Sequence, residues 1–477
     1  MAEIIINQTF VLNDLIFSIY MIQNPNTYST MRHFTKLFLI LLGSVFIIAS
    51  CSETEPKWDR LYNEENLDQW VQLNGEANYT EKDGMIVGET VMNKPNSFLC
   101  TKKKYSDFVL KVDLKVDAGL NSGIQIRSNS IPEYRNNRVH GYQVEVDPSD
   151  RAWSGGIYDE ARRGWLYNLE ENEPARQAFT VGEWSTYRIE ALGDTIQTWV
   201  NGVPTANLVD NMTGEGFIGL QVHGIGDDEE KEGLQVRWRK MRILTGDKAW
   251  ANNKSMDIPQ KTYLYNRLTE EEKQEGWELL FNGHNHEGWR SYNKDYFPEK
   301  GWMVHNAALT VLANGGGGSI VTEDKFSEFD LKLDFRMTEG ANCGIKYYLV
   351  DEKENLGLEY QIMDNNSYAI NEERPAHHGH ASLYEMIPAE NKETKPIGEW
   401  SSARIISKDD HVEHWLNGKK VLEFERGSEH FRELVERSKY PTKYDGKRFG
   451  EVEETPILLQ DEGVRVSFRN IKIKRLD

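Results

Sequence analysis

Two stretches of this chain carry one pattern. Residues 182–204 read GEWSTYRIEALGDTIQTWVNGVP, and residues 398–420 read GEWSSARIISKDDHVEHWLNGKK. In each the second Trp follows the first by 15 residues, Trp184 to Trp199 and Trp400 to Trp415, and an Asn-Gly pair comes next. The duplication extends in both directions. WDRLYNEENLDQW (58–70) matches WELLFNGHNHEGW (277–289), with both Trp pairs 12 residues apart. YSDFVLKVDLKVDAGLNSGIQIR (105–127) matches FSEFDLKLDFRMTEGANCGIKYY (326–348), with 18 residues from Tyr105 to Gly123 and from Phe326 to Gly344. GFIGLQVHG…VRWRKMRIL and TPILLQDEG…VRVSFRNIKIKRL close the copies. A repeat of roughly 190–210 residues is the size of a domain, not of a solenoid unit. The chain is therefore read as two homologous domains, 58–245 and 273–477, joined by a linker over 246–272.

Within each copy the period is two. In LKVDLKV and DLKLDFRM apolar and polar residues alternate, so each strand has one dry and one wet face. Asn201-Gly202 and Asn417-Gly418 are hairpin dipeptides after a Trp-bearing strand. Short strands at intervals of about ten residues, with 13 Trp and 21 Tyr in the chain, predict an all-β fold of two tandem sandwiches. The recurring Trp184, Trp199, Trp400 and Trp415 are expected to be core or framework residues, as are Asn201 and Asn417. Gly315 to Gly318 precede no helix with Lys-Ser/Thr, so a hairpin loop is expected there and not a phosphate cradle. SEHFRELVERSK (428–439) is helix-compatible and occurs only in the second copy, as an insertion. Cys100 and Cys343 sit in apolar runs of different halves and are expected to be buried free thiols.

The formal net charge of −20 argues against nucleic acid as a partner, because approach to phosphates is repulsive and no basic stripe offsets it. The front end reads as an address. From Met31, MRHFTKLFLILLGSVFIIASCSETEP has Arg32 and Lys36 before an apolar run from Leu37 to Ile48, the layout of a secretory signal. Residues 1–50 are thus a signal region, with 1–30 expected to be an over-extended start, and 51–57 a tether. Ile-Ala-Ser-Cys resembles a bacterial lipobox, which implies diacylation of Cys51. The expected setting is a periplasmic or cell-surface protein held to the outer membrane by lipid; the acidic stretch after Cys51 resembles the export signals of Bacteroidetes lipoproteins.

Several motifs in order resemble the 3-keto-disaccharide hydrolase family: Trp-x-x-Leu-[Phe/Tyr]-Asn, GLEYQIMD, Ser-Leu-Tyr, Gly-Glu-Trp, Trp-Leu-Asn-Gly and FRNIKIKRL. The resemblance spans nearly all of 277–477 and, more divergently, 58–245. It implies a concanavalin-A-like jelly-roll fold and cleavage of glycosides oxidised to a ketone at C3. A C3 ketone acidifies the C2 hydrogen, so such a site needs a base, an acid for the leaving oxygen, and a donor or cation for the enolate.

In the second domain GLEYQIMD supplies Glu359 as candidate base, Gln361 as a hydroxyl or ketone partner on the same strand face, and Asp364 as support at the strand end. HHGHASLY supplies His378, where the family places a His before the Ser-Leu-Tyr turn, flanked by His377 and His380. Tyr384 is a candidate for stacking on, or hydrogen bonding to, a sugar. No cofactor is expected; a divalent metal, if used, would take Glu359, Asp364 and His378. In the first domain HGYQVEVDPSDRAWSGGIYDEARRGWL places Gln143, Glu145 and Asp147 on one face, with Glu and Gln exchanged relative to the second domain and no counterpart of His378. Trp153, Tyr158, Arg162, Arg163 and Trp165 cluster instead and could bind sugar. Glu145 is then either the base of a second activity or part of a binding site. The alternative for the whole chain is a non-catalytic carbohydrate-binding surface protein, since jelly rolls host lectins as readily as enzymes.

Overall fold

The computed structural model describes residues 56–368 and 375–477. The signal region and Cys51 lie outside the described residues. Residues Trp58–Asp477 form one compact unit that contains both repeats.

The alternating runs become strands with the expected sidedness. In Phe108–Val116 and in Phe329–Met337 the apolar residues are buried, and the interleaved Lys, Asp and Arg are half-buried, except Asp330, which is buried. Each strand is central in a back sheet, of nine strands in the first domain and eight in the second. A front sheet, of seven and five strands respectively, packs against it. Side chains of both sheets form the core: Leu331, Leu333 and Phe335 from the back of the second domain meet Ile345, Leu358 and Tyr360 from its front. The first domain has its own core. Both domains are all-β jelly-roll sandwiches of the concanavalin-A-like type.

The duplicated pattern has a structural cause. Asn201 and Asn417 sit at φ 50°, with Gly202 and Gly418 at φ 85° and 81°, the left-handed pair that a tight hairpin turn needs. Each Asn also ties the turn to its surroundings. Its Oδ1 accepts from the backbone N–H of Thr186 or Ser402, and its Nδ2 donates to the carbonyl of Ala178 or Glu393. The four Trp residues are framework, but of the back sheet's outer face, where Arg side chains cover their rings. Arg239 lies 3.7 Å over Trp184 and Arg469 lies 4.0 Å over Trp400. Arg188 and Arg404 cover Trp199 and Trp415 at 5.8 and 5.7 Å.

The linker is more than a tether. Lys261–Tyr263 adds to the first domain's back sheet as a parallel strand beside Val203–Asp210. Asn266 and Asn470 exchange hydrogen bonds between side chain and backbone. The sandwiches meet where His140 Nε2 lies 2.8 Å from His305 Nε2 and Arg465 donates to the Glu133 carbonyl. The Gly315–Gly318 segment is not a hairpin loop. It joins Ala308–Val311 of the back sheet to Ile320–Thr322 of the front sheet, and a Cβ on Gly317 would stand 2.3 Å from the Lys300 carbonyl oxygen. The insertion contains helix Glu429–Arg437, capped by Ser428 and anchored by buried Phe431 and Val435. Cys100 and Cys343 are free and buried, and burial pushes both thiols up. Among the described residues no helix is long and apolar enough to cross a membrane.

Candidate functional site

The strand Leu356–Met363 turns Leu358, Tyr360 and Ile362 into the core, so Glu359 and Gln361 share the opposite face of the front sheet. The neighbouring strand sets Lys346 opposite Glu359 and Gly344 opposite Gln361. Gly344 is required there: a Cβ would stand 2.5 Å from a Glu359 carboxylate oxygen. Gln361 donates to Asn342 Oδ1 at 2.8 Å, and its own Oε1 is buried without a partner. Lys346 Nζ is 3.3 Å from Glu359 Oε2 and also donates to the Asn355 carbonyl. Burial raises the Glu359 carboxyl above the usual carboxylate range, and Lys346 offsets part of that rise.

The segment after Pro375 pairs along the free edge of the strand Leu356–Met363, with a bridge between Tyr360 and Leu383. Tyr384 N–H donates to the Glu359 carbonyl at 3.1 Å, which pins the Ser-Leu-Tyr turn to the strand. The Tyr384 ring lies 4.9 Å from that of His378, and Lys439 Nζ stands 4.4 Å over it. Lys439 comes from the insertion unique to the second copy and is also 3.5 Å from Glu385 Oε1. Its charge helps to favour the ionised Glu359. The link between Glu359 and His378 thus runs through Tyr384 and Lys439.

Two expected site residues have other duties. His380 is buried in the core; its ring packs edge-on against Phe335, and its Nδ1 accepts from the Met363 N–H. Burial lowers its pKa to about 3, so it stays neutral. Only two residues from His378, it faces the opposite way. Asp364 accepts from the N–H groups of Gly340 and Asn366 and from the Ser367 hydroxyl. Burial would raise its carboxyl, but these donors outweigh that and hold it low. It builds the turn and has no contact with Glu359 or His378, so the expected metal set of Glu359, Asp364 and His378 is not assembled.

The first domain repeats this frame with exchanged chemistry. Glu145 occupies the place of Gln361 and accepts from Asn121, the counterpart of Asn342, at 2.7 Å. Gln143 occupies the place of Glu359 and faces Gln125, the counterpart of Lys346. A chain of hydrogen bonds runs from Ser128 to Gln125 to Gln143 to Glu145. Burial raises the Glu145 carboxyl; Asn121, Gln143 and the charge of Arg151 offset part of this, and among the described residues no ammonium or guanidinium forms a salt bridge with it. Tyr158 and Trp165 continue the row beside Gln143. Trp153 packs edge-on against Trp165 at 4.8 Å, and Arg151 covers both. Gln221, also on this face, is 1% exposed, and neither of its side-chain polar atoms has a partner.

Asp147 is a loop anchor: Ser149, Arg151 and the Trp153 N–H all donate to it. Arg162 and Arg163 are not available to a sugar. Both pair with Asp159, which is fully buried, because Asp159 lies on the core side of its strand. Arg162 also bridges to Asn306 of the second domain, and Arg163 reaches Asp210. Burial would lower the Arg163 pKa, but Asp159 and Asp210 outweigh it and keep the guanidinium charged.

Lys346, Lys439, Glu385 and Gln221 were not singled out in the sequence. One signal for Lys346 was present: aligning the repeats exchanges Gln125 and Gln143 together for Lys346 and Glu359. A lysine arriving with a carboxylate indicates a pair. Lys439 carried no such signal, since the first copy lacks its segment.

Two sandwiches that present carboxylates and carboxamides on one sheet face define a class of tandem jelly-roll proteins. The family described as the 3-keto-alpha-glucoside-1,2-lyase-like domain matches residues 57–244 and again 276–474, and the chain belongs to that family in two copies. A 3-keto-disaccharide hydrolase of Bacteroides thetaiotaomicron is 32% identical over 232 residues, which is 43% of this chain and 79% of that protein. A crystal structure from Parabacteroides distasonis, named as a candidate glycosyl hydrolase, is 32% identical and covers 45% of this chain and 100% of its own, with a TM-score of 0.40. A second from the same organism, similarly named, is 28% identical over 42% of this chain and 99% of its own, with a TM-score of 0.33.

Proposed function

We propose that this chain hydrolyses glycosides whose sugar carries a ketone at C3, and that the second domain performs the chemistry. Glu359 takes the C2 proton, and the electrons of the C–H bond form the enolate. The enolate collapses and expels the C1 oxygen, which takes a proton from the Tyr384 hydroxyl beside Lys439. Water then adds at C1 and returns a proton to the Tyr384 oxygen, while Glu359 gives its proton back to C2, so the net change is hydrolysis. Gln361 and Asn342 hold the sugar's hydroxyl or ketone oxygens. The observation that carries this reading is Glu359 itself. A buried carboxylate with a raised proton affinity, on the same face as Gln361, suits a base that must hold a proton from carbon. Family membership and the named Bacteroides relative support the substrate class.

The first domain is read as a binding module. Its face has Tyr158 and Trp165 in register beside Gln143, the flat aromatics and carboxamides of sugar recognition, and its Glu145 lacks the lysine that Glu359 has. The setting, an exported protein anchored through Cys51, rests on the leader sequence alone.

The test is aglycone release from a 3-keto-glucoside and from its unoxidised parent, with the native chain, Glu359→Gln and Tyr384→Phe. Release from the keto substrate alone, largely lost in both variants, is expected. Equal release from both substrates refutes the reading.

A further inference from the structure

A second group of side chains stands beside Glu359 that the base mechanism does not use. His377, His378 and Glu385 each offer one ligand atom, and these atoms lie within 4.8 Å of one another. His378 Nε2 faces Glu385 Oε1 at 3.2 Å, yet the nitrogen is buried and makes no hydrogen bond. A buried imidazole nitrogen whose neighbouring carboxylate oxygen lies off the hydrogen-bond direction is poorly satisfied, and an ion between the two would satisfy both. The loop geometry explains the grouping. The 3₁₀ turn Ala376–His378 sets the two imidazoles side by side, with ring centroids 4.8 Å apart. The Tyr384 anchor to the Glu359 strand then brings Glu385 against them.

We propose that His377, His378 and Glu385 form a divalent metal site that receives the ketone oxygen of the substrate. Two imidazoles and one carboxylate are a recurrent catalytic ligand set, and three protein ligands leave positions open for a substrate oxygen. Bonds of about 2.0 Å in a tetrahedral site set ligand atoms about 3.3 Å apart, so the group needs only a modest contraction to close on an ion. The inference rests on the reading that this face processes a keto sugar. Loss of the C2 proton puts negative charge on the C3 oxygen, and a Lewis acid there stabilises that charge. His378 is then a ligand and not a proton donor. Lys439 is the competing cation. Its ammonium is 3.5 Å from Glu385 but 56% exposed and also donates to the Tyr384 hydroxyl, so it can give up Glu385 and keep Tyr384 when an ion enters. The other His/carboxylate group, His411 with Glu413 and Glu423, differs: it is solvated, its ring is bonded to Glu425, and Lys420 already pairs with both acids.

The probe is Co²⁺, titrated into the full chain after chelator treatment and followed by its visible absorption and by calorimetry. One equivalent is expected to bind. Affinity should fall about tenfold or more in His377→Ala and Glu385→Gln and stay unchanged in His411→Ala, with circular dichroism confirming that each variant is folded. Absence of binding, or binding indifferent to His377 and Glu385, overturns the site. Activity is read separately. If the metal-free chain releases aglycone from a 3-keto-glucoside as fast as the loaded chain, the ion's role in the reaction is overturned while the proposed substrate stands. If Co²⁺ binds as expected and no keto substrate is cleaved, the site stands and the substrate reading fails.

Discussion

Lys346 Nζ lies 3.3 Å from Glu359 Oε2 across two adjacent strands, and both side chains are less than a tenth exposed. In the first domain the same two positions hold Gln125 and Gln143, joined by a 2.6 Å hydrogen bond. The ion pair and the amide pair are alternative ways of satisfying one buried cross-strand position. Only the ion pair places a carboxylate there, the group proposed as the base.

Removing that base has a defined consequence. Glu359→Gln should lower kcat on a 3-keto-glucoside by about 10²-fold or more, the usual worth of a positioned general base. Because burial raises the Glu359 carboxyl, the acid limb of the native kcat/KM profile should lie above the ordinary glutamate value of about 4.3. A limb at or below that value removes Glu359 from the role.

Glu145 gives a test on stability. A carboxyl whose pKa is raised in the folded state favours folding when protonated. That contribution is present below the unfolded value of about 4.3 and is lost as pH rises through the folded value. The melting temperature of Glu145→Gln relative to the native chain should therefore climb from pH 4 to pH 7. A flat difference shows that Asn121 and Gln143 already compensate the charge.

The buried histidines act in the opposite sense. Burial lowers His140 to about 4, and His305, His380 and His414 to about 3. Their contribution is present above the unfolded value of about 6.5 and lost as pH falls toward the folded values, because the unfolded chain binds protons that the folded chain refuses. Urea unfolding should show lower stability at pH 5 than at pH 7.5. His380→Ala should cost about 2 kcal/mol or more and reduce that pH dependence, with KM unchanged. A raised KM with native stability would return His380 to the substrate site.

Arg162 separates a structural role from a sugar-binding one. Arg162→Met leaves Asp159 with only Arg163 and removes the bridge to Asn306. A loss of about 3 kcal/mol is expected, the scale of a broken buried ion pair, with sugar affinity intact.

Trp165 tests the binding reading of the first domain. In a Glu359→Gln background, calorimetry with an intact disaccharide should report a site that weakens by about 1 kcal/mol in Trp165→Ala, the worth of one stacking ring. Unchanged binding would assign all recognition to the second domain.

The fold was readable because its signals are local. Alternation in LKVDLKV fixes which side chains turn inward within a few residues, and Asn417-Gly418 needs only its own φ values to turn the chain. The same rule predicted that Glu359 and Gln361 share a face. It failed for residues in loops and at strand ends. His378 and His380 look equivalent in HHGHASLY, yet one borders the site and the other packs on Phe335. Arg162 and Arg163 look like surface charge until Asp159 and Asp210 are brought beneath them.

The sequence alone determined the duplication, the strand faces, the hairpin turns and the exchange of Glu and Gln between copies. The tertiary structure decided the partners: Lys346 for Glu359, Lys439 and Glu385 beside Tyr384, and the core for His380. The physical reason is range. Sidedness along a strand follows from backbone geometry, whereas the pairing of charges depends on which distant segments the packed sheets and the loops above them bring within a few ångströms.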